Sequence, residues 1–419
     1  MDVEPFGKLR AGSGELIYLM RATSCINSLL FSFILNQLKN MKFSIQTIVL
    51  LLVSLNTIGC ATKENKKEVE KEKVGNEIAQ TPNIILMVGD GMGISQISTA
   101  FYFGESTPNF EQFSEIGLMK TSSTSHTITD SAAGATAFAT GERTYNRAIG
   151  VSKDTVAVPT ILEQLKEENY QTGLISLTSI THATPASFYA HVKDRDMHEE
   201  IAEQMTKGKV DFFAGGGLDF FTKRKDGKNL YQEMQQNGFQ MDSVNLISFN
   251  ADKKNGYLLA ADAFPSKTQG REGFLQEATK LSLDYFDAKK QPFFLMVEGS
   301  FIDWGGHAKD ADMMVQEVLD FDKTLGIVLN YIKENPNTLL VVTADHETGG
   351  ASVGKYYDVG ANGKKVENPE KVAVSFNTDQ HTGQLIPVFA KGIGAENFQG
   401  IYQNNEIYHK MFQAINKKK

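Results

Sequence analysis

The sequence predicts an α/β fold, with a doubly wound, mainly parallel sheet flanked by helices on both faces. Short continuous apolar runs recur from residue 83 onwards, and segments with helical spacing lie between many of them. Such runs are typical of strands buried on both faces, and their alternation with helices is typical of parallel sheets. Hydrophobic residues form 41% of the 419-residue chain, which suits a globular protein with a sizeable core.

The elements follow one another in a regular order. The predicted strands span residues 83–88, 171–177, 210–214, 293–297, 339–342 and 385–389. The predicted helices begin near residue 131, span 159–169, 274–289 and 309–333, and include one at the C-terminus. Residues 218–270 are less regular and predict a surface insertion. Because no internal repeat or second domain is evident, residues 82–419 are expected to form a single domain.

The N-terminal part differs in composition from this domain. Residues 41–60 have a basic start, an apolar core and small residues before Cys60, which is the form of a secretory signal. Their last four residues resemble a bacterial lipobox, although Thr57 stands where leucine is usual. We therefore expect lipid on Cys60, contact with a membrane, and export to the periplasm or the cell surface of a bacterium. The alternative is a simple signal peptide that contains a cysteine.

Two flanking segments complete this part of the chain. Residues 1–40 lack a signal ending and suggest an over-extended start, with Met41 as the initiator. Residues 61–81 are rich in lysine and glutamate and predict a charged flexible tether. Cys25 and Cys60, the two cysteines, both precede the globular part, so a disulfide framework is excluded there. The net charge of -8 and the lack of a basic patch argue against nucleic-acid binding.

One helix start has the form of an anion site. Thr129, Asp130 and Ser131 precede a run of alanines, so a helix should begin at or near Ser131. The hydroxyl would then lie at the positive end of a helix, which favours an anion. Taken alone, this stretch is more typical of an ordinary capped helix than of an anion site.

Acidic and imidazole side chains follow three predicted strands. Asp90, Glu298, Asp345 and His346 all fall just beyond the carboxyl ends of those strands. In open α/β sheets that edge is where ligands bind. Groups of this kind would repel one another or titrate abnormally without cations between them.

Further metal-type residues lie on either side of the last of these strands. Asp303 and His307 are four residues apart, so one helical turn would place both on one face. His381 lies in a loop. Imidazole together with carboxylate is the ligand mix of zinc, and the joint pattern is far more specific than any single pair.

Six segments, in this order, resemble the motifs of alkaline phosphatases. They are Asp90-Gly91-Met92-Gly93, Thr129-Asp130-Ser131-Ala132-Ala133, Val297-Glu298-Gly299, Asp303 with His307, Thr343-Ala344-Asp345-His346 and His381-Thr382-Gly383. The resemblance covers the chain from about residue 83 to the C-terminus. It implies an alkaline-phosphatase-like fold, a homodimer, and hydrolysis of small phosphate monoesters to alcohol and inorganic phosphate through a phosphoserine.

The resemblance also implies a role for each residue of the site. Ser131 matches the phosphorylated nucleophile, Arg195 the phosphate clamp, and Asp130 the group that orients the arginine. The implied ligands are Asp303, His307 and His381 for a first zinc, Asp345, His346 and Asp90 for a second, and Asp90, Thr184 and Glu298 for a magnesium.

Two positions depart from the enterobacterial pattern. His182 stands where an aspartate would flank the third metal, which leaves the identity of that metal open. Trp304 stands where a lysine would contact phosphate through water.

Other activities share this sheet and these ligands. Phosphodiesterases, sulfatases and metal-dependent phosphoglycerate mutases resemble the chain in fold, and fold alone does not separate them. Ser131 lacks the setting of a sulfatase nucleophile. A phosphodiesterase, or a non-catalytic lipid-anchored protein that binds metal or phosphate, remains the alternative.

Overall fold

The computed structural model describes residues 81–416. The predicted signal, the lipid site at Cys60 and almost all of the tether lie outside these residues, so they stay predictions. Among the described residues, no helix combines the length and the apolar character that crossing a membrane requires.

Fourteen strands and eleven α-helices make up the described chain. The strands are β1 (Asn83–Gly89), β2 (Glu115–Lys120), β3 (Gln171–Ser179), β4 (Phe212–Gly216), β5 (Gln240–Asp242), β6 (Asn255–Leu258), β7 (Phe293–Gly299), β8 (Thr338–Thr343), β9 (Glu347–Thr348), β10 (Ala351–Val359), β11 (Lys365–Phe376), β12 (His381–Thr382), β13 (Ile386–Gly392) and β14 (Gly400–Gln403). The helices are α1 (Ile94–Phe103), α2 (Ser131–Thr140), α3 (Ile161–Glu167), α4 (Ala183–Ala186), α5 (His198–Met205), α6 (Leu218–Thr222), α7 (Leu230–Gln236), α8 (Phe274–Lys289), α9 (Phe301–Ala308), α10 (Ala311–Glu334) and α11 (Glu406–Asn416).

Ten strands form one central sheet in the order β14-β2-β13-β8-β1-β7-β3-β4-β6-β5. The run from β8 to β5 is parallel, which confirms the predicted α/β class. Strands β1, β7 and β8 are buried along almost their whole length. Continuous apolar runs are what such doubly covered strands require.

Strand β13 runs antiparallel to both of its neighbours, β8 and β2. Strands β9 to β12 separate β8 from β13, and no helix crosses back between them. A parallel pair needs a crossover connection, usually a helix. Because the chain returns to the sheet from the edge at which it left, β13 must run in the opposite direction.

Three sequence predictions were wrong in detail. Residues 218–270 are not a surface insertion, because β5 and β6 within them extend the central sheet. These strands span only three and four residues, which is too short for the sequence pattern to indicate them. The helix predicted over 309–333 begins instead at Ala311, after Lys309 with φ of +51° ends α9. The third error is an omission, because the edge strand β14 and its neighbour β2 were not predicted.

The topology brings the predicted site residues to one edge. In the sheet, β1 lies between β7 and β8, so the carboxyl ends that hold Asp90, Glu298 and Asp345 are adjacent. Helix α2 packs closely on the end of β8. A Cβ atom on Gly134 would lie 3.0 Å from the Cβ of Asp345, so a larger residue there would require Asp345 to shift.

A buried ion cluster packs behind helix α9. The guanidinium of Arg271 bonds Glu317 at 2.5 Å and Asp320 at 2.9 Å, and all three side chains are 2% exposed. The same guanidinium lies 5.4 Å from the ring centroid of Phe301, the first residue of α9. The cluster therefore joins α10 to the helix that holds Asp303.

We predict that Arg271→Ala lowers the free energy of unfolding by about 3–5 kcal/mol, because two buried carboxylates lose their main counter-ion. Urea titration followed by circular dichroism measures this loss. The control is Lys280→Ala, which removes an exposed pair with Asp284 and should change stability by less than about 0.5 kcal/mol. Equal effects of the two changes would show that the Arg271 cluster contributes no more than a surface pair.

Candidate metal centre and nucleophile

Helix α2 begins at Ser131, as the capping pattern predicted. Asp130 is the N-cap, and its Oδ1 atom accepts a hydrogen bond from the backbone N–H of Ala133 at 3.0 Å. All ten residues of α2 are buried. The Ser131 hydroxyl lies 3.2 Å from Nε2 of His346, which follows β8. The nucleophile predicted from one segment thus meets a ligand predicted from another, 215 residues away.

Three groups of potential metal ligands adjoin one another beside Ser131. Within each group the ligand atoms lie within 4.8 Å of one another. The groups are Asp303 with His307 and His381, Asp90 with Asp303 and His346, and Asp90 with His182 and Glu298. Because Asp303 belongs to two groups and Asp90 to two, the ligands form one continuous cluster.

In the first group, two imidazoles face each other. The Nε2 atoms of His307 and His381 are 3.1 Å apart. Their Nδ1 atoms contact backbone oxygens, those of Asp379 at 2.6 Å and Thr129 at 2.9 Å. These carbonyls assign the ring protons to Nδ1, which leaves both Nε2 lone pairs free to bind a cation. Burial and the neighbouring His346 lower the pKa of His381 to about 4.

In the second group, His346 lies among buried carboxylates. Its Nε2 atom is 3.1 Å from Oδ2 of Asp345 and 3.6 Å from Oδ1 of Asp90, and all three side chains are at most 1% exposed. Oδ1 of Asp345 accepts bonds from the backbone N–H groups of Gly91 and His346 at 3.2 and 3.1 Å. Burial raises the pKa of Asp90 well above its ordinary value, and the charges of Asp345 and Asp303 raise it further.

The third group contains a residue that the sequence placed only near this site. His182 lies with Asp90 and Glu298 as a potential ligand. Its Nε2 atom is 3.3 Å from Nη2 of Arg195. Thr184, another predicted ligand of this site, is fully buried beside Glu298.

Sequence reasoning missed two serines that contact Glu298 of this group. Ser176 and Ser300 donate hydrogen bonds to Oε2 of Glu298 at 2.5 and 2.7 Å. Both are fully buried. They fix the carboxylate so that its other oxygen, Oε1, turns away from them. The polar residues that interrupt the buried strand β3 at Ser176, Thr178 and Ser179 were the signal that could have indicated this role.

The cluster fits divalent cations. Several of its buried atoms have no hydrogen-bond partner within the described part of the chain, namely both carboxylate oxygens of Asp90, Oε1 of Glu298 and Nδ1 of His182. Buried polar atoms are nearly always satisfied, and unsatisfied ones point to a bound ion or water. Carboxylate and imidazole donors gathered at this density are a metal-binding set.

Arg195 and Trp304 lie at the margin of the cluster. Nη1 of Arg195 is 3.3 Å from Oδ2 of Asp130, so the arginine contacts both the helix cap and His182. Its side chain is 19% exposed. Trp304 follows Asp303 on α9 and is 39% exposed. Its ring packs edge-on against that of Phe301, with 4.6 Å between the ring centroids.

The comparisons with known proteins identify the family of the chain. A family model described as Alkaline phosphatase matches residues 81–371 and 357–417. Alkaline phosphatase 4 of Bacillus subtilis is 30% identical, covering 90% of this chain and 98% of its own length. Alkaline phosphatase 3 of the same organism is 31% identical, covering 88% of this chain and 96% of its own length.

Solved structures show the same relationship. The alkaline phosphatase of the Antarctic bacterium TAB5 is 46% identical, with a TM-score of 0.77, over 80% of this chain and 98% of its own. A variant of that enzyme, in which aspartate replaces a histidine, was solved with Mg bound in its M3 site, with 47% identity and a TM-score of 0.78 over the same shares. The fold, the cluster and the family match lead to one conclusion: the chain belongs to the alkaline phosphatase family.

Proposed function

We propose that this enzyme hydrolyses phosphate monoesters to an alcohol and inorganic phosphate through a phosphoserine at Ser131. The observation that supports this most directly is the position of the Ser131 hydroxyl, at the N-terminus of α2 and 3.2 Å from His346. The names of the related phosphatases support the same activity.

The three ligand groups support a proposal of two zinc ions and one magnesium ion. Asp303, His307 and His381 would hold the first zinc. Asp345, His346 and Asp90 would hold the second, because Asp345, although outside the second group, lies 3.1 Å from Nε2 of His346. When bound, such cations lower the pKa of a hydroxyl and stabilise negative charge on attacking and leaving oxygens.

The third ion would be held by Asp90, Thr184 and Glu298, an oxygen-rich set that suits magnesium. Magnesium in the M3 site of the TAB5 variant supports this assignment. His182 adds a nitrogen donor to the same group, and imidazole favours zinc or another transition metal over magnesium. The proposal therefore leaves the third site open to either ion.

In the proposed reaction, Ser131, helix α2, Arg195 and Asp130 each have a separate role. Oxygen Oγ of Ser131 attacks phosphorus, the new O–P bond forms, and the ester P–O bond breaks as the alcohol leaves. Water then attacks the phosphoserine, which returns the serine and releases inorganic phosphate. The N-terminus of α2 favours the negative charge on the phosphoryl group throughout. Arg195 can donate two hydrogen bonds to its oxygens, and Asp130 orients the guanidinium.

A phosphodiesterase is the second candidate, and Arg195 argues against it. A monoester dianion presents three non-bridging oxygens, whereas a diester presents two. With Arg195 beside the cluster, a diester would place an alkyl group where one of these contacts should form. The presence of Ser131 at the nucleophile position also argues against the other alternative, a non-catalytic protein that binds metal or phosphate.

We predict that hydrolysis of p-nitrophenyl phosphate at alkaline pH depends on bound metal. Treatment with a chelator should lower turnover by about 100-fold or more, because metal stabilisation of developing charge is worth several kcal/mol. Zinc and magnesium added together should restore it, while added calcium serves as the control. Full activity after verified removal of all metal would contradict the metal-dependent proposal.

We predict that Ser131→Ala lowers turnover by about 100- to 1,000-fold, with residual hydrolysis from direct attack by water. Metal content and the melting temperature should stay near those of the parent enzyme. The control is Ser98→Ala, which removes a hydroxyl that bonds the carbonyl of Ile94 on α1. Unchanged monoester turnover in Ser131→Ala would rule out a phosphoserine at this residue.

We predict that Arg195→Ala lowers kcat/KM for monoesters by about tenfold to 100-fold, since a charged contact worth about 1.5–3 kcal/mol is lost. Diester hydrolysis should fall much less, because a diester lacks the third oxygen. Parallel assays of p-nitrophenyl phosphate and bis-p-nitrophenyl phosphate measure the ratio. Equal losses on both substrates would favour the phosphodiesterase alternative.

A further inference from the structure

Arg195 lies on an irregular segment, residues 192–197, which we call the arginine loop. None of these residues belongs to a helix or to one of the fourteen strands. A guanidinium on such a loop is well placed only if the backbone beneath it is fixed. The site itself holds the side chain through Asp130 and His182, both at 3.3 Å.

A second segment, residues 145–150, fixes the arginine loop at three points, and we call it the clasp loop. The first point is the hydroxyl of Tyr145, which donates to the carbonyl of Lys193 at 3.2 Å. At the second, Ile149 and Val192 exchange two backbone hydrogen bonds of 3.0 Å. Arg147 makes the third.

Arg147 binds the carboxylates on both sides of Arg195. Its Nε and Nη2 atoms donate to the two oxygens of Asp194 at 2.8 and 2.9 Å, which is a bidentate pair. Nη2 also bonds Asp196. The catalytic-site arginine therefore stands between two residues that one neighbouring guanidinium holds.

The backbone of Arg147 closes the connection to the nucleophile. Its N–H donates at 3.0 Å to Oδ2 of Asp130, the same oxygen that accepts from Arg195. The other oxygen of Asp130 caps helix α2, which begins with Ser131. Arg147 has φ of +78°, a conformation that a non-glycine residue adopts rarely and that the surrounding contacts must maintain.

Helix α2 supports the clasp loop from behind. The buried hydroxyl of Thr136 accepts from the N–H of Gly150 at 3.0 Å and donates to the carbonyl of Ala148 at 3.1 Å. The clasp loop is thus bound on one side to the nucleophile helix and on the other to the arginine loop.

We propose that Arg147 is a positioning residue that sets the distance between the phosphate-binding guanidinium of Arg195 and the nucleophile Ser131. This inference rests on the proposed function, in which Arg195 binds the phosphoryl oxygens. Arg147 acts through backbone and carboxylate contacts, and Arg195 makes the contact with substrate.

The geometry of the Arg147–Asp194 pair suits it to a positioning role, although the pair is exposed. Arg147 and Asp194 are 48% and 37% exposed, and pairs of that exposure usually contribute little to stability. The fork of two parallel bonds adds orientation, which is what a positioning role requires. Lysine has no such planar fork, so it cannot reproduce the contact.

The test compares Arg147→Ala, Arg147→Lys and Asp194→Asn with the parent enzyme, all loaded with metal. The measurements are KM and kcat for p-nitrophenyl phosphate and the inhibition constant of inorganic phosphate. We expect each change to raise KM and the phosphate inhibition constant by about five- to tenfold, as couplings between contacting residues do. A smaller effect on kcat and an unchanged melting temperature would separate positioning from general stabilisation.

The control for loss of an exposed ion pair is Lys228→Ala. Lys228 pairs with Glu203 at 2.8 Å, and its side chain is 49% exposed, close to the exposure of Arg147. This variant should leave the phosphate inhibition constant within about twofold of the parent value, because the pair lies on a different segment.

The decisive experiment measures the double variant, in which Arg147→Ala is combined with Arg195→Ala. If Arg147 acts through Arg195, its removal there should change the phosphate inhibition constant by less than about twofold. If the increases in the phosphate inhibition constant from the two single changes instead multiply in the double variant, Arg147 contacts phosphate itself. That result would overturn the proposal. An unaltered inhibition constant in Arg147→Lys and Asp194→Asn would overturn it as well, even if Arg147→Ala fails to fold.

The outcomes also separate this inference from the proposed function. If Arg195→Ala alone leaves phosphate inhibition unchanged, the proposed role of Arg195 is wrong. If Arg195→Ala weakens phosphate binding and Arg147→Ala does not, the proposed function stands and the positioning role of Arg147 is wrong.

Discussion

The mutual repulsion of buried carboxylates is the constraint on which this structure depends. Asp90, Glu298 and Asp345 stand at the ends of three adjacent parallel strands, and Asp303 faces them from α9. Each is at most 6% exposed. Water cannot screen charges in that position, so burial and neighbouring charge raise the pKa of Asp90. Burial raises the pKa of Glu298 as well, so a bound divalent cation would favour the ionised forms of these two carboxylates.

Contacts from outside the cluster hold several of its ligand side chains in place. Ser176 and Ser300 fix one oxygen of Glu298, backbone carbonyls fix His307 and His381, and the Arg271 cluster packs behind α9. Groups that contact the ligands rather than the metal orient the donor atoms before an ion binds. A site built in this way loses little freedom when the ion enters.

Asp130 links the metal cluster to the rest of the site. One of its oxygens caps the helix that begins with Ser131, and the other accepts from Arg147 and Arg195. A single carboxylate thus fixes Ser131 and Arg195, the proposed nucleophile and the proposed phosphate-binding group, relative to each other. Along the chain, Asp130 and Ser131 are followed by the clasp loop and then the arginine loop, and both loops contact Asp130.

The sequence by itself determined the fold class and the start of α2, and it predicted most of the side chains that the structure gathers as potential metal ligands. Those features depend on local signals, namely continuous apolar runs, a capping residue before alanines, and motifs at strand ends. Only the tertiary structure decided the antiparallel direction of β13, the extension of the sheet by β5 and β6, and the membership of His182 in the third ligand group. It also revealed Arg147 beside Asp194, 47 residues away. Contacts of that kind depend on how one loop docks on another, and no periodicity or capping signal in either loop encodes the docking.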